Sequence, residues 1–324
     1  MVTKFCNVKI FKVAVIVTAI FVSSHSISQQ ENSAQMLMRN MIEASDELNY
    51  SGLITYEKSG RLKTSRIIHL VQDGISFEKI IHLDGPEGEF SKFRSGLSCE
   101  SSHMKDTDMD SLPNINTNSF KLLQESYFLE TRGQLRVANR KASMVLVNPK
   151  DEHRLPYVLA VDNETNLLLM SVLLDLSGNP LERFQFVELN VGEDVASLDF
   201  PDGGFEVEKD CKSANSTEDK SNWSASWVPS GFQLIDSERN GQTGQQMLVY
   251  SDGLAVFSVF VESPEVSAKL PVLATRHGAS VFVTSKTKIA DTEVTVSVVG
   301  EIPAGTAKMV AESIVHASKL LKPS

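Results

Sequence analysis

The chain has 324 residues, of which 41% are hydrophobic and 22% charged, an ordinary composition for a globular protein. This length predicts two domains and supplies enough apolar residues for two cores. Acidic residues outnumber basic ones by 41 to 31, which gives a formal net charge of −10. That balance argues against a nucleic acid as partner, because phosphate binding requires clustered lysine and arginine.

The first 28 residues have the pattern of a secretory signal peptide. Three lysines within the first twelve residues precede an apolar segment, Val13–Val22, and the polar stretch SSHSISQ follows it. Small side chains at Ser26 and Ser28 predict cleavage after Ser28. Because the apolar segment is shorter than a membrane-spanning helix, a permanent anchor is the weaker alternative. We therefore expect residues 1–28 to be removed and the mature chain to be exported.

Two cysteines remain in the predicted mature chain, Cys99 and Cys211. In an oxidising compartment they could form one disulfide, and the alternative is a pair of free thiols. Two cysteines in isolation do not form a structural zinc site. The sequence therefore predicts no metal and no cofactor.

A mostly β N-terminal domain is predicted for residues 29–201. It begins with an amphipathic helix over residues 31–49, whose apolar positions recur at helical spacing. A second, short helix is predicted for residues 119–128. The predicted strands are Gly52–Glu57, Ser65–Val71, Ile75–Leu83, Glu89–Ser98, Tyr127–Leu129, Gly133–Val137, Lys141–Asn148, Tyr157–Asp162, Leu167–Asp175 and Leu181–Leu189. Strands at this spacing favour a large curved antiparallel sheet or an incomplete barrel.

A linker and a smaller α+β domain are predicted to follow. Residues 202–226 are poor in large aliphatic side chains and rich in polar residues, which is typical of a linker. The second domain is predicted for residues 227–324, and its final helix for Thr306–Leu321 with Thr306 as the N-cap. Its strands are predicted at Phe232–Arg239, Gln245–Tyr250, Leu254–Glu262, Ser280–Thr287 and Thr292–Val299.

Catalytic signatures are missing from the sequence. It contains no common nucleophile, metalloprotease or nucleotide-binding motif, so we predict no enzyme activity. The polar loop of residues 99–118 has alternating aspartates but lacks the glycine and glutamate that a calcium loop requires. Arg140, Asp151 and Arg154 flank a predicted turn. They indicate either a polar site or, more simply, a salt-bridged corner between two strands.

Two stretches of the second domain combine turns with strand-like runs. YSDGLAVFSVFVE (250–262) has Asp252-Gly253 between two apolar runs, which predicts a hairpin turn. VTVSVVGEIPAG (294–305) ends a strand at Gly300-Glu301, just before the final helix. Together with WVPSGFQL (227–234), these stretches resemble the C-terminal domain of the RseB/MucB family, the periplasmic regulators of the sigma-E envelope-stress response.

The resemblance extends through the first domain. NYSGLITYEKSGRLKTSRIIHL, LDGPEGEF and GNPLERFQFVEL fit the pattern of the same family. The family's Arg-Tyr-Gly-Tyr stands here as Arg154-Leu155-Pro156-Tyr157. The resemblance covers nearly the whole predicted mature chain in collinear order.

The resemblance implies a fold, partners and a location. It implies a half-open antiparallel barrel covered by helices, like the lipoprotein carriers LolA and LolB, followed by a smaller C-terminal domain. Such proteins bind the periplasmic segment of a membrane anti-sigma factor, RseA/MucA, and shield it from site-1 proteolysis by a DegS-type protease. Lipopolysaccharide or mislocalised lipoprotein is implied as the releasing signal. A periplasmic location and homo-oligomers are implied as well.

An apolar groove in the half-open barrel is the predicted lipid site, because each buried CH₂ of an acyl chain contributes about 0.8 kcal/mol. The candidate lining residues are Ile54, Tyr56, Phe77, Ile81, Phe184 and Phe186. Each of them also fits an ordinary core. The alternative function is a periplasmic lipoprotein or lipid carrier of the LolA type, and the C-terminal domain counts against it because the carriers lack that domain.

Overall fold

The structure is a computed structural model that describes residues 33–72, 75–85, 89–94, 97–98, 120–192, 195, 212–213, 222–240, 244–262, 271–289 and 292–316. The predicted signal peptide, Cys99, Cys211, the polar loop of residues 99–118 and much of the predicted linker lie outside these ranges. We call residues 33–195 the first unit and residues 222–316 the second unit.

Helix α1 spans residues 33–47, which confirms the predicted amphipathic helix. Met38, Met41 and Ile42 are buried at helical spacing on one side of it. They share an apolar cluster with strand residues such as Leu159. The helix therefore covers one face of the sheet that follows it in the chain.

The described part of the first unit contains a second helix, α2 (Phe120–Ser126), and ten strands. The strands are β1 (Tyr50–Lys58), β2 (Arg61–Gln72), β3 (Ile75–His82), β4 (Glu89–Arg94), β5 (Leu97–Ser98), β6 (Tyr127–Val137), β7 (Arg140–Pro149), β8 (Tyr157–Asp162), β9 (Leu168–Leu174) and β10 (Pro180–Val191). All except β5 form one antiparallel sheet in the order β4-β3-β2-β1-β10-β9-β8-β7-β6. β4 and β6 lie at its two edges, so the sheet is open.

Two strand predictions for the first unit are wrong in detail. Tyr127–Leu129 and Gly133–Val137 belong to a single strand, β6, which accommodates one irregularity in its register with β7. The predicted strand Glu89–Ser98 is divided into β4 and β5, because β5 pairs outside the large sheet with Lys212–Ser213. β6 is continuous along its pairing with the next strand, β7, whereas the separation of β5 depends on a partner more than 100 residues away.

The second unit has a separate core. Its described residues include one helix, α3 (Ala304–Glu312). Strand β11 (Lys212–Ser213) precedes this unit in the chain. The strands of the unit are β12 (Trp223–Ala225), β13 (Gln233–Arg239), β14 (Gln246–Ser251), β15 (Val256–Val261), β16 (Ala274–His277), β17 (Ser280–Ile289), β18 (Thr292–Gly300) and β19 (Ile314–His316). Six of them form a sheet in the order β13-β14-β15-β18-β17-β16. Ala307 and Val310 of α3 are fully buried in one cluster with Val296 and Val298 of that sheet.

The final helix is shorter than predicted. It ends at Glu312 because Ile314–His316 leave the helical path and pair with Trp223–Ala225 as β19. The N-cap prediction is also wrong, since Pro303 occupies that position without a side-chain hydrogen bond and Thr306 is buried inside the helix. The apolar positions on both sides of Glu312 satisfy a helical pattern, so local periodicity alone extends the helix too far.

The fold class predicted from the sequence is confirmed. The molecule is mostly β, with an open antiparallel sheet covered by helices and a smaller α+β unit. Within the described ranges, no helix combines the length and the apolar character needed to cross a membrane. Loops of the second unit lie against strand ends of the first, and they join the two units directly.

Candidate functional site

The two units meet at a junction formed by loops 230–232, 252–255 and 278–280 of the second unit. Leu254 and Ala279 are inserted into the first unit, where they belong to the apolar cluster that contains Met38 of α1 and Tyr127 of β6. Both are buried. The junction therefore has an apolar part, and polar contacts are added to it, three of which involve the carboxylates of Asp252, Glu182 and Glu301.

Asp252 forms the first polar contact and also builds its own turn. One carboxylate oxygen, Oδ1, accepts the backbone N–H groups of Leu254 at 3.0 Å and Ala255 at 2.9 Å, which confirms the predicted hairpin turn between β14 and β15. The other oxygen, Oδ2, accepts the Arg154 Nε–H at 2.6 Å and the Tyr127 hydroxyl at 3.0 Å. The carboxylate of Asp252 thus stabilises its own turn and also binds two side chains of the first unit.

Arg154 carries the opposite charge of this contact. Its two remaining nitrogens donate to the Asp151 carboxylate and to the carbonyl of Ser230, and its guanidinium lies 4.8 Å from the ring centre of Phe232. Arg154 and Asp252 are both fully buried. Burial opposes the charge on Arg154, but the neighbouring carboxylates of Asp252 and Asp151 outweigh it and hold the pKa of the guanidinium above its ordinary value.

The interpretation of Arg140, Asp151 and Arg154 as one salt-bridged corner is only partly right. Arg140 does join two strands, because it donates to Asp162 at the end of β8 at 2.8 Å and to Glu164 at 2.9 Å. Arg154 lies beyond the opposite end of β7 and bridges the two units instead. The three residues therefore do not converge on one site.

Glu182 forms the second polar contact from the inner face of β10. Its Oε1 accepts the backbone N–H of Ala279 at 2.8 Å and lies 3.3 Å from Lys58 Nζ, while its Oε2 accepts the hydroxyl of Tyr56. Lys58 Nζ also donates to Ser280 Oγ at 3.3 Å. Glu182 is therefore a buried carboxylate with partners in both units.

Tyr157 and Glu301 form the third polar contact. The Tyr157 hydroxyl donates to Glu301 Oε2 at 3.3 Å. Burial and, after it, the nearby Glu182 carboxylate raise the pKa of Glu301 from 4.5 to about 7, although Lys58 and the Tyr157 hydrogen bond act against that rise. Nearby, the His153 ring lies 3.1 Å from Thr306 Oγ1 and contacts the Trp227 ring edge-on at 5.3 Å between centres.

Two glycines allow the units to approach this closely. Gly231 has a φ of +90°, and a Cβ there would overlap Ser126 and crowd Arg154. Gly278 has a φ of +61°, and a Cβ there would overlap Glu182. Any other residue would strain the backbone and displace a first-unit side chain.

A cavity of about 380 Å³ opens beside Glu182, between the β1–β2 turn and the β16–β17 turn. Four charged side chains contribute to its wall: Glu57, Glu182, Arg183 and Arg276. None of the residues predicted for the lipid groove lines it. A wall with four charges does not suit an acyl chain.

The structure brings four of the six predicted groove residues together. Ile54 pairs with Phe186 and Tyr56 with Phe184 across β1 and β10, and all four are buried in one apolar cluster. Phe77 and Ile81 alternate with Ile80, which belongs to that cluster, so they point to the other face of the sheet. Phe77 is buried, and Ile81 packs with Ile68, Leu70 and Val195. A lipid-binding role for any of the six stays a prediction.

Sequence reasoning missed the junction residues. The signal that could have found Glu182 is its position, because it alternates with Phe184 and Phe186 on β10 and an acid among inward-facing aromatics needs a buried partner. Asp252 gave no such signal, since a turn accounts for an Asp-Gly pair without any further contact.

Comparisons with known proteins agree with this architecture. Residues 33–203 match the MucB/RseB N-terminal domain family, and residues 217–315 match the MucB/RseB C-terminal domain family. The sigma factor AlgU regulatory protein MucB of Pseudomonas aeruginosa is 34% identical over 291 residues, covering 88% of this chain and 92% of the relative. The sigma-E factor regulatory protein RseB of Escherichia coli is 28% identical over 318 residues, covering 94% and 96%.

Solved structures show the same relationship. A crystal structure of MucB in complex with MucA(peri) superposes with a TM-score of 0.69 at 32% identity, covering 87% of this chain and 98% of that one. A second complex, MucA/MucB of Pseudomonas aeruginosa, superposes with a TM-score of 0.70 at 31% identity over the same shares. Both domain families match in order and span most of the chain, so the protein belongs to the MucB/RseB family.

Proposed function

We propose that this chain is a periplasmic negative regulator of a sigma-E-type envelope-stress response. It binds the periplasmic part of a membrane anti-sigma factor of the RseA/MucA type and shields it from site-1 proteolysis. The observation that carries the proposal is the likeness to MucB in complex with MucA(peri), which extends over 87% of this chain and includes both units. The names of the relatives describe regulators, which supports binding rather than catalysis.

The junction supports a regulator whose two units act together. Arg154, Asp252 and Glu182 are buried charged residues, and their hydrogen bonds are made across the junction. Such contacts hold one arrangement of the units, and a ligand that favours another arrangement must break them. If the anti-sigma segment and a lipid prefer different arrangements, each lowers the affinity of the other by the same factor. We propose that the part of the predicted linker, residues 202–226, that precedes β12 allows this change.

The purified mature chain is expected to bind the periplasmic domain of its cognate anti-sigma factor with micromolar affinity or better. Isothermal titration calorimetry at physiological salt measures this directly. The matched control is a peptide with the same composition in scrambled order, because the acidic chain could attract any basic peptide. An absence of binding at micromolar concentrations would contradict the proposed function.

We further propose the groove cluster of Ile54, Tyr56, Phe184 and Phe186 as the wall of a lipid site. Its support is the size of the cluster and its position on β1 and β10, which also carry Lys58 and Glu182 of the junction. An acyl chain that separates these side chains would move strands that hold the second unit. A lipid carrier of the LolA type remains the alternative function. The direct hydrogen bonds between the two units count against it.

A photo-crosslinkable fatty acid is expected to label β1 and β10, and Phe186→Leu is expected to reduce the yield several-fold. Mass spectrometry of the labelled peptides gives the sites. Val187→Leu is the control, because Val187 is the next residue on the same strand and is exposed. Labelling of the second unit alone would refute the groove, and transfer of lipid between vesicles would favour the carrier.

A further inference from the structure

We propose that Glu301 makes the docking of the two units sensitive to pH, so that acidification through neutrality tightens the junction. Glu301 directly follows β18, and its backbone N–H donates to the carbonyl of Val256 at 3.2 Å, which holds the residue in place. Its carboxylate faces the first unit, where the Tyr157 hydroxyl donates to it. Docking therefore covers part of a carboxyl group of one unit with the other and reduces its contact with water.

The groups around Glu301 do not neutralise its charge. From the first unit, Tyr157 of β8, Glu182 of β10 and Lys58 of β1 face it. Lys58 lies 3.3 Å from Glu182, so one ammonium group serves two carboxylates. Beyond Tyr157 lie the phenol of Tyr127 and the ion pair of Arg154 with Asp252, whose charges compensate each other. The charge of an ionised Glu301 is therefore not balanced by a cation of its own, because Lys58 also pairs with Glu182 and Arg154 pairs with Asp252 and Asp151.

The pKa of Glu301 agrees with this geometry. Burial first, and then Glu182, raises it from an ordinary 4.5 to about 7 in the docked state. The docked state therefore binds a proton that the separated state has already released at pH 5 to 7. Docking is weakest above pH 7, where an ionised carboxyl is partly buried, and it strengthens as pH falls through 7 toward 4.5. The full change in the docking equilibrium is at most about 300-fold, and roughly 30-fold of it falls between pH 8 and pH 5.5.

Hydrogen exchange at the junction tests the inference without any partner or lipid. The amide of Ala279 donates to Glu182 across the junction, so it exchanges only when the units separate. Its protection factor, corrected for the intrinsic pH dependence of exchange, is expected to rise by up to roughly 30-fold from pH 8 to pH 5.5. The amide of Leu159 in the first-unit core is the internal reference and is expected to stay constant over the same range.

Two variants complete the experiment. Glu301→Gln resembles the protonated side chain in size and charge, so its protection is expected to be independent of pH and to equal the low-pH limit of the wild type, about 10-fold above the wild-type value at pH 5.5. Glu293→Gln is the control, because Glu293 lies on β18, the strand that Glu301 follows, is exposed and pairs with Lys286 within the second unit. It is expected to keep the wild-type pH dependence. A constant wild-type protection at Ala279, or a pH dependence retained in Glu301→Gln, would overturn the inference whatever the fate of the proposed function.

Discussion

Replacing Asp252 by alanine is expected to lower the free energy of unfolding by about 3–5 kcal/mol, because it leaves the Arg154 charge buried without its main partner. The loss also frees the Tyr127 hydroxyl and the two backbone N–H groups of the turn. Unfolding in urea, followed by circular dichroism, measures the change. Because the protein has two units, a second probe must report the junction separately.

Trp227 is that second probe. Its ring contacts His153 of the first unit, and the chain has two tryptophans, so Trp223→Phe leaves Trp227 as the single emitter. In this background Asp252→Ala is expected to shift the Trp227 emission before the main unfolding transition. Lys308→Ala is the control, since it removes an exposed pair with Glu312 on α3 and is expected to cost at most about 0.5 kcal/mol.

A double-mutant cycle separates the ion pair from the turn. Asp252→Asn keeps an oxygen for the turn but removes the charge, and Arg154→Met removes the guanidinium while keeping an apolar stem. The double variant is expected to be more stable than the sum of the two single effects predicts, by 1 kcal/mol or more. Additive effects, together with an unchanged Trp227 emission in Asp252→Ala, would show that the pair does not hold the units together.

Replacing either Cys99 or Cys211 by serine is expected to destabilise the protein by about 2–4 kcal/mol, because we propose that they form a disulfide. Both residues lie outside the described ranges. The support comes from their neighbours: Leu97–Ser98 pairs antiparallel with Lys212–Ser213, Cys99 follows Ser98, and Cys211 precedes Lys212. A bond between them would close a loop of more than 100 residues, for which chain entropy predicts up to ~4.7 kcal/mol.

Alkylation followed by intact mass spectrometry detects the bond, and thermal unfolding with and without reductant gives its effect. The single variants Cys99→Ser and Cys211→Ser and the double variant are expected to lose the same stability, since each removes one bond. Alkylation of both thiols in the unreduced protein would contradict the disulfide. So would small, additive effects of the two substitutions.

The local elements of this protein could be predicted from the sequence. The strand Tyr157–Asp162 is predicted with its observed ends, because an apolar run between a proline and a turn leaves no other structure. The helix over residues 33–47 follows from its apolar spacing, and the Asp252-Gly253 hairpin from turn chemistry. The family resemblance depends on the same short stretches. These predictions are correct because the contacts that determine each element lie within a few residues of one another in the chain.

Contacts between distant residues could not be predicted. The final helix is predicted too long because β19 forms only through pairing with Trp223–Ala225, far back in the chain. Phe77 and Phe184 are grouped by the sequence as candidate groove residues, but the register of the strands places them on opposite faces. The alternation of side chains along a strand defines its two faces. It does not determine which face packs against the apolar cluster of the neighbouring strands.

The sequence by itself determined the fold class, most of the elements, the family and the expected export. Only the tertiary structure decided what the charged residues do. Arg154 meets Asp252 across 98 residues, and Tyr157 meets Glu301 across 144. No local pattern encodes such a meeting, because the turn at Asp252 and the strand end at Glu301 are built from hydrogen bonds within the second unit. Burial of these groups occurs only when the two units dock, and docking gives their charges an energetic role.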